Sequence, residues 1–275
     1  MSILVSKADG TTEEFDPLKL HASLHRVGAQ KKVITQIETE IERELYNGIS
    51  TSEIYRRAFA HLRDHKRGIA ARYSLKRAVL DFGPSGFPFE AFIAELYRTQ
   101  GYTAKIDQVV QGACVEHEVD VVLKKNNKFT YIEAKFHNTA GFKTDLKTTL
   151  YVKARMDDIR AVSPYEYVKG LLITNTKFTS KAIQYATCEG LELMAWEYPT
   201  KGNLHDLIDE SGLYPVTALT TLSKREKVAL LLDKKVLCSS LAEGDDVLKR
   251  VGIVGKRADL VLEEVGSLCV PKKDI

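Results

Sequence analysis

The sequence predicts a multidomain α/β protein: a small α-helical module with short N-terminal strands, an α/β/α core, and a helical C-terminal region. Three observations carry this. Glycine and proline crowd at Gly83-Pro84-Ser85-Gly86-Phe87-Pro88 and again at Tyr198-Pro199-Thr200-Lys201-Gly202-Asn203, punctuation that ends any helix or strand. The pieces so divided, 1–83, 87–198 and 203–275, differ in pattern: helical periodicity, then helices mixed with strand-like runs, then helical periodicity again. At 275 residues, 44% apolar and 28% charged, the chain has the length of about two domains and the composition of a globular protein, which excludes disorder.

Composition narrows the class further. No run approaches the roughly 18 apolar residues of a membrane span, and MSILVSKADG lacks the basic start and long apolar stretch of a secretory signal. Cys114, Cys188, Cys238 and Cys269 stand far apart without CxxC spacing, against a zinc site or a disulfide framework. A cytoplasmic, reducing location with no membrane partner is expected. Forty basic residues against 37 acidic leave a net charge of +3. That is too little for a protein that coats DNA, yet compatible with a DNA enzyme whose metal site is acidic.

In the first piece a strand at Ile3-Leu4-Val5 and a turn at Asp9-Gly10 precede a helix, with Asp16 as N-cap and Pro17 in the first helical position. Amphipathic stretches follow at about 18–28, 31–46, 51–64 and 68–82, with Thr51-Ser52 expected to cap the third. The middle piece opens with a helix at about 88–100 that ends at Gly101. Strand-like runs at 118–124, 129–135 and 168–174 follow, then a helix at about 177–189 and a strand at Leu191–Met194. In the last piece Gly252-Ile253-Val254-Gly255 forms a tight turn between two helices.

The chemistry concentrates in EVDVVLKKNNKFTYIEAK, residues 118–135. Asn126-Asn127 suits a two-residue hairpin turn, because asparagine tolerates the positive φ such turns need. That turn pairs residues whose numbers sum to 253, so Asp120 faces Glu133 and Glu118 faces Lys135. Alternation puts all four on one face, and Val119, Val121, Ile132 and Ala134 on the other. Directly opposed carboxylates have Cβ atoms about 4.5–5.5 Å apart and repel. A divalent cation relieves that repulsion, and Mg²⁺ suits it best, since it takes one or two carboxylates and keeps waters for a phosphate substrate. Lys135 would point to the same place, to orient a water or stabilise charge on a phosphorane-like transition state. The bland alternative is a solvated hairpin face with a Glu118–Lys135 salt bridge.

The surrounding residues weigh against blandness. Phe89-Glu90-Ala91-Phe92 with Gly101-Tyr102, then Asp120, Ile132-Glu133-Ala134-Lys135, Gly170-Leu171-Leu172-Ile173-Thr174-Asn175 and Lys177-Phe178-Thr179 with Ala182 come in an ordered series. It resembles the PD-(D/E)xK nuclease superfamily over about residues 87–197, most closely its Mrr-like restriction endonuclease branch. The resemblance implies a restriction-endonuclease-like α/β/α core, catalytic Asp120, Glu133 and Lys135, and metal ligation by Asp120 and Glu133. Val119 stands where the superfamily's name has proline, and Glu118 is an additional carboxylate.

The first piece, about residues 3–82, resembles the ATP-cone, a regulatory nucleotide-binding module, through Val5-Ser6-Lys7-Ala8-Asp9-Gly10, Glu13, Phe15-Asp16, Leu18-Lys19-Leu20, Ile49-Ser50-Thr51-Ser52-Glu53-Ile54 and Ala71-Arg72-Tyr73. The resemblance implies ATP or dATP binding by Lys7, Glu13, Asp16, Lys19 and Thr51. Lysines supply point charges for phosphate, and Thr51 adds a hydroxyl at a helix N-terminus. Ala8 stands where the family commonly has arginine, and Asp16 where some members have asparagine. No Walker-type glycine-rich loop is present, so the module is expected to bind and regulate rather than hydrolyse.

Other signals are weaker. His21/His25 and His61/His65 have i, i+4 spacing but lack the glutamate of a zinc helix and read as surface histidines. His117 and His137 flank the carboxylate hairpin. Lys143, Lys147, Lys153 and Arg155 read as a basic helix that can touch a phosphate backbone. Leu248–Leu262 resembles a helix-hairpin-helix with its glycines one residue wider than usual. The expected function is a nucleotide-regulated, Mg²⁺- (or Mn²⁺-) dependent DNA endonuclease in restriction or DNA processing, acting as a homo-oligomer. The alternative is a non-catalytic ATP- or dATP-sensing protein that binds DNA or a partner.

Overall fold

The structure is a computed structural model that describes residues 3–165, 167–242 and 246–269. Its first part joins strands β1 (Leu4–Ser6) and β2 (Thr12–Glu14) in an antiparallel ribbon. The turn between them is closed by the Lys7 N–H on the Thr11 carbonyl (2.8 Å) and by Gly10 at φ +82°. Helices α1 (Pro17–Arg26), α2 (Lys31–Glu44) and α3 (Thr51–His65) follow. Asp16 caps α1 as expected, accepting from the Leu18 N–H with Pro17 at the helix start. The cap of α3 is Ser50, not Thr51-Ser52: its hydroxyl accepts from the Glu53 N–H, which makes Thr51 the first helical residue. Apolar residues at helical spacing (Leu20 and Leu24, then Ile34, Ile37 and Ile41, then Ile54, Ala58 and Leu62) meet Val5 and Ile49 in one core.

The helix expected over 68–82 is two: α4 (Arg67–Tyr73) and α5 (Leu75–Leu80), parted at Ser74, whose hydroxyl donates to the Ala71 carbonyl. This break lets α5 leave the first core. Leu75, Ala78, Val79 and Phe82 instead join the core of the remaining chain.

The middle part runs α6 (Phe87–Thr99), β3 (Thr103–Gln111), β4 (Glu116–Lys125), β5 (Lys128–Lys135), β6 (Lys143–Thr144), α7 (Leu146–Val162), β7 (Val168–Thr174), β8 (Lys177–Phe178), α8 (Ser180–Glu189) and β9 (Glu192–Met194). Five strands form one sheet in the order β3-β4-β5-β7-β9, antiparallel through β3, β4 and β5 and parallel through β5, β7 and β9. One face packs Val121, Leu123 and Ile132 under Phe89, Phe92 and Ile93 of α6. The other packs Tyr131 and Leu172 against Val152 and Met156 of α7 and Ala182 and Ala186 of α8. That is an α/β/α sandwich. Lys143 lies in the short strand β6 rather than in the basic helix expected there, because Asp145 caps α7, which starts at Leu146.

The C-terminal part is helical: α9 (Leu204–Ser211), α10 (Lys224–Leu232), α11 (Asp246–Arg250) and α12 (Lys256–Leu268). It shares the core of α5, α6 and the sheet through residues such as Leu207, Leu219, Leu230, Val261 and Val265. Glu264, buried in this region, accepts from the backbone N–H and the hydroxyl of both Thr220 and Thr221 at 2.6–2.9 Å. The expected turn between the last two helices is present, with Gly252 and Gly255 both at positive φ. Among the described residues, no helix is long and apolar enough to cross a membrane.

Candidate active site

The hairpin register is the one the sequence predicts. Asn126 and Asn127 both take positive φ (+49° and +59°), and every ladder pair from Val121↔Ile132 to Lys125↔Lys128 sums to 253. Beyond Val121 the ladder ends, and Asp120 takes over. Its Oδ2 accepts the Ala134 N–H at 2.7 Å, a bond that would otherwise belong to the sheet. On the other side of β4, Ile106↔Val121 and Gln108↔Val119 pair while Asp107, at φ +51°, stands opposite Asp120 and leaves the ladder.

This irregularity turns the strand over. Val121 packs on the α6 side of the sheet, but Val119 packs on the α7 side, so the two do not share a face as expected. His117 also faces α7, with Nε2 2.7 Å from Asp158. Glu118, between them, is therefore exposed and turned away from Glu133, which pairs with Arg155 of α7. The Glu118–Lys135 salt bridge of the bland alternative is absent among the described residues. A two-residue alternation carried through position 120 misses this, because Asp107 and Asp120 leave the ladder together and the strand turns over there with no residue inserted.

Asp120 and Glu133 are brought together, and two carboxylates without an expected role join them: Glu90 in the first turn of α6 and Asp107 of β3. Burial pushes the Asp120 carboxyl above its ordinary value, against the pull of the Ala134 N–H and Arg155. Burial first and Asp120 second push Glu133 up. Glu90 is pushed up to about 7 by burial, then by Asp120, Asp107 and Glu133. The compensating cations are Lys135, exposed at the end of β5, and Arg155. Arg155 bonds Glu133 through Nη1 and the Tyr151 hydroxyl through Nη2 at 2.9 Å, and its side chain is 10% exposed. Its buried Nε has no hydrogen-bond partner among the described residues. The sequence pattern places Arg155 on a phosphate-contacting helix face; the fold turns it inward instead. Lys153 is likewise occupied, by Asp157 and Glu189.

The donor chemistry fits a hard divalent cation. Four mutually repelling carboxylates, Glu90, Asp107, Asp120 and Glu133, face only two nearby cations, Arg155 and Lys135, a surplus that such an ion relieves. Among the described residues, no three His, Cys, Asp or Glu side chains converge closely enough to hold a metal. An ion here would rest on two carboxylates, Asp120 and Glu133, with water completing its shell.

The chain leaving β5 is fixed by Asn175, which in the sequence stands out only as one member of a longer motif. The Asn175 side chain accepts the His137 N–H at 2.8 Å and donates to the His137 carbonyl at 2.7 Å. The His137 ring lies on Phe142 and sits near Lys135, and burial lowers its pKa.

Three of the five expected nucleotide residues converge at the β1–β2 turn. Glu13 Oε2 lies 2.6 Å from Lys7 Nζ and 2.9 Å from Lys19 Nζ, and these two bonds lower the Glu13 pKa. Thr51 stands next to Ser50, which bridges to Ser6 of β1. Asp16 is committed to its cap. This turn also touches the loop that follows β5. A Cβ at Gly141 would stand 2.8 Å from the Ala8 carbonyl oxygen, so the two backbones meet directly, and Lys143 helps hold the Asp9 carboxyl low after its bonds from Thr11.

Comparison with known proteins gives three family matches along the chain: an ATP cone domain over 3–80, a restriction endonuclease family over 84–197, and an AF1548-like C-terminal family over 214–269. An uncharacterized protein of Archaeoglobus fulgidus is 35% identical over 173 residues, 62% of this chain and 97% of that protein. The crystal structure of AF1548, a protein of unknown function, is 32% identical with a TM-score of 0.56, over 67% of this chain and 98% of that one. A repair endonuclease from Pyrococcus abyssi is a more distant match, at 21% identity and a TM-score of 0.33 over 40% of this chain and 46% of that one. The chain thus belongs to the AF1548-like family, with an ATP-cone ahead of its restriction-endonuclease domain.

Proposed function

We propose that this protein is a nucleotide-regulated, metal-dependent endonuclease that hydrolyses phosphodiester bonds in DNA. The observation that carries the reading is the half-buried pair Asp120 and Glu133, with Lys135 beside it, at the point where β4 leaves its ladder. Asp120 and Glu133 would hold Mg²⁺ or Mn²⁺, which supplies charge neutralisation at the phosphate and a more acidic water. Lys135 places an ammonium beside that position, where negative charge grows as water attacks phosphorus. Asn175 fixes the backbone at His137, two residues past Lys135.

Regulation by ATP or dATP is supported by the meeting of Ala8 and Gly141. Phosphates bound by Lys7 and Lys19 would draw both lysines from Glu13 and move the turn that abuts the loop beyond Lys135. One observation favours a second reading: Arg155 already neutralises Glu133, as it would in a non-catalytic ATP- or dATP-sensing protein that only binds DNA. Single substitutions separate the two. Asp120→Ala, Glu133→Ala and Lys135→Ala should each lower DNA cleavage by about 10²-fold or more while leaving the melting temperature near that of the parent. Wild-type rates in all three would remove the assignment.

A further inference from the structure

Helix α3 turns the flank bearing Tyr55, Arg56, Phe59 and Arg63 toward residues 217–221, just ahead of α10. Two cavities lie along this seam and share Thr220. The first, about 290 Å³, has Arg56, Arg77 and Lys227 in its walls. The second, about 320 Å³, has Arg63, Arg67 and Arg257. Together they make a groove with the ATP-cone as one wall and the C-terminal region as the other. Its six basic side chains face one lining carboxylate, Asp81, with Glu226 on Arg257 and Glu264 under Thr220 and Thr221. In a chain of net charge +3 that is a marked local excess.

The protein offers these cations little in return. Arg67 and Arg77 make no ion pair among the described residues. Arg56 comes no closer than 4.0 Å to Glu53, and Arg63 no closer than 3.8 Å to Asp64. Arg257 alone is firmly paired, with Glu226 at 2.7 Å. Lys227 is half-buried and donates to the Thr217 carbonyl at 2.7 Å. The four guanidiniums without a close ion pair, Arg56, Arg63, Arg67 and Arg77, call for an external anion, and their forks match phosphate oxygens. The length of the row decides what kind. Arg56 and Arg63 are seven residues apart on one helix, roughly 10 Å along its axis. A single phosphate cannot reach both ends; a polyanion can.

The geometry points to this groove as a binding track for the phosphate backbone of DNA, apart from the carboxylate site. The choice of DNA as the polyanion rests on the endonuclease reading. Because the ATP-cone supplies one wall, nucleotide bound there can change how the track is presented.

Titration of a fluorescent duplex with the full-length protein, without divalent metal and over a series of salt concentrations, tests this. Arg67→Gln with Arg77→Gln removes two cations that hold no ion pair, so the fold is retained. Binding should weaken, and the dependence of log Kd on log salt should become shallower by about 0.9 for each phosphate no longer neutralised, up to about 1.8. Adding Arg56→Gln and Arg63→Gln should flatten it further. Affinity and salt slope equal to the parent in both variants would overturn the track. So would loss of ATP binding with duplex binding intact, which assigns the groove to free nucleotide. Cleavage scored on the same variants keeps the two claims apart. Active enzyme with an unmoved slope rejects the track alone; groove-dependent binding by a protein that never cuts rejects the nuclease alone.

Discussion

Glu133 shows how one residue can be legible in role and illegible in surroundings. Its strand parity follows from Asn126-Asn127, and its place opposite Asp120 follows from that. Its partner Arg155 lies 22 positions away on a helix whose inward face is not set by hydropathy alone, so a basic run reads as solvent-facing. Glu90 is similar: it stands within Phe89-Glu90-Ala91-Phe92, yet only the packing of Phe89 and Phe92 under the sheet aims it at the other carboxylates. Asp107 is signalled only weakly, as an acid that interrupts an alternating strand. His117, which flanks the hairpin in the sequence, is structural. Asp158 accepts from it and from the N–H groups of Cys114 and Val115, and the His117 bond leads in holding Asp158 down to about 2. A depressed carboxyl adds stability that is fully present above its unfolded pKa and lost as pH falls through its folded value. Parent protein should therefore exceed Asp158→Asn in thermal stability at pH 5, with the gap closing as pH falls from about 4 to about 2. A gap that stays constant across that window would show that Asp158 acts through packing alone.

Among the elements, those with strong local codes agree with the sequence reading: α1 behind Asp16-Pro17, the β4–β5 hairpin, and the buried run of β7. Strand β3, absent from that reading, is an edge strand whose TAKIDQVVQ alternates weakly and carries charge outward, as unpaired edges do. The same limit explains Glu118, since the break in pairing at Asp107 and Asp120 is a relation between strands that neither strand announces. The loop from Asn138 to Phe142 is another such relation. Gly141, at φ +95°, fits against Ala8 only because it lacks a side chain. Gly141→Ala should therefore part the two backbones. Nucleotide should still bind the ATP-cone, and cleavage without nucleotide should stay within about twofold of the parent, but the response of cleavage to ATP or dATP should be lost. An unchanged response would place the coupling elsewhere.

Across the whole molecule, the apolar core ignores the punctuation of the sequence. Val79 of α5, Phe92 of α6 and Val261 of α12 share one cluster, so the three family regions are packed as much as strung. Such a body can carry a change at the β1–β2 turn to the sheet and to the seam with the C-terminal region. Cutting both strands of a duplex requires two scissions, and each chain offers one carboxylate pair. A two-fold dimer matches the symmetry of the duplex. Light scattering should then show a dimer or larger assembly whose size depends on ATP or dATP; a monomer in both conditions that still cuts both strands would argue for sequential nicking. The most direct measurement is relaxation of supercoiled plasmid by purified protein in Mg²⁺, with and without ATP or dATP, beside Glu133→Ala. Nicked and linear products are expected at a rate that changes with nucleotide, with none above background from Glu133→Ala or after chelation of the metal. Intact plasmid under every nucleotide condition, or equal cutting by Glu133→Ala, would contradict it.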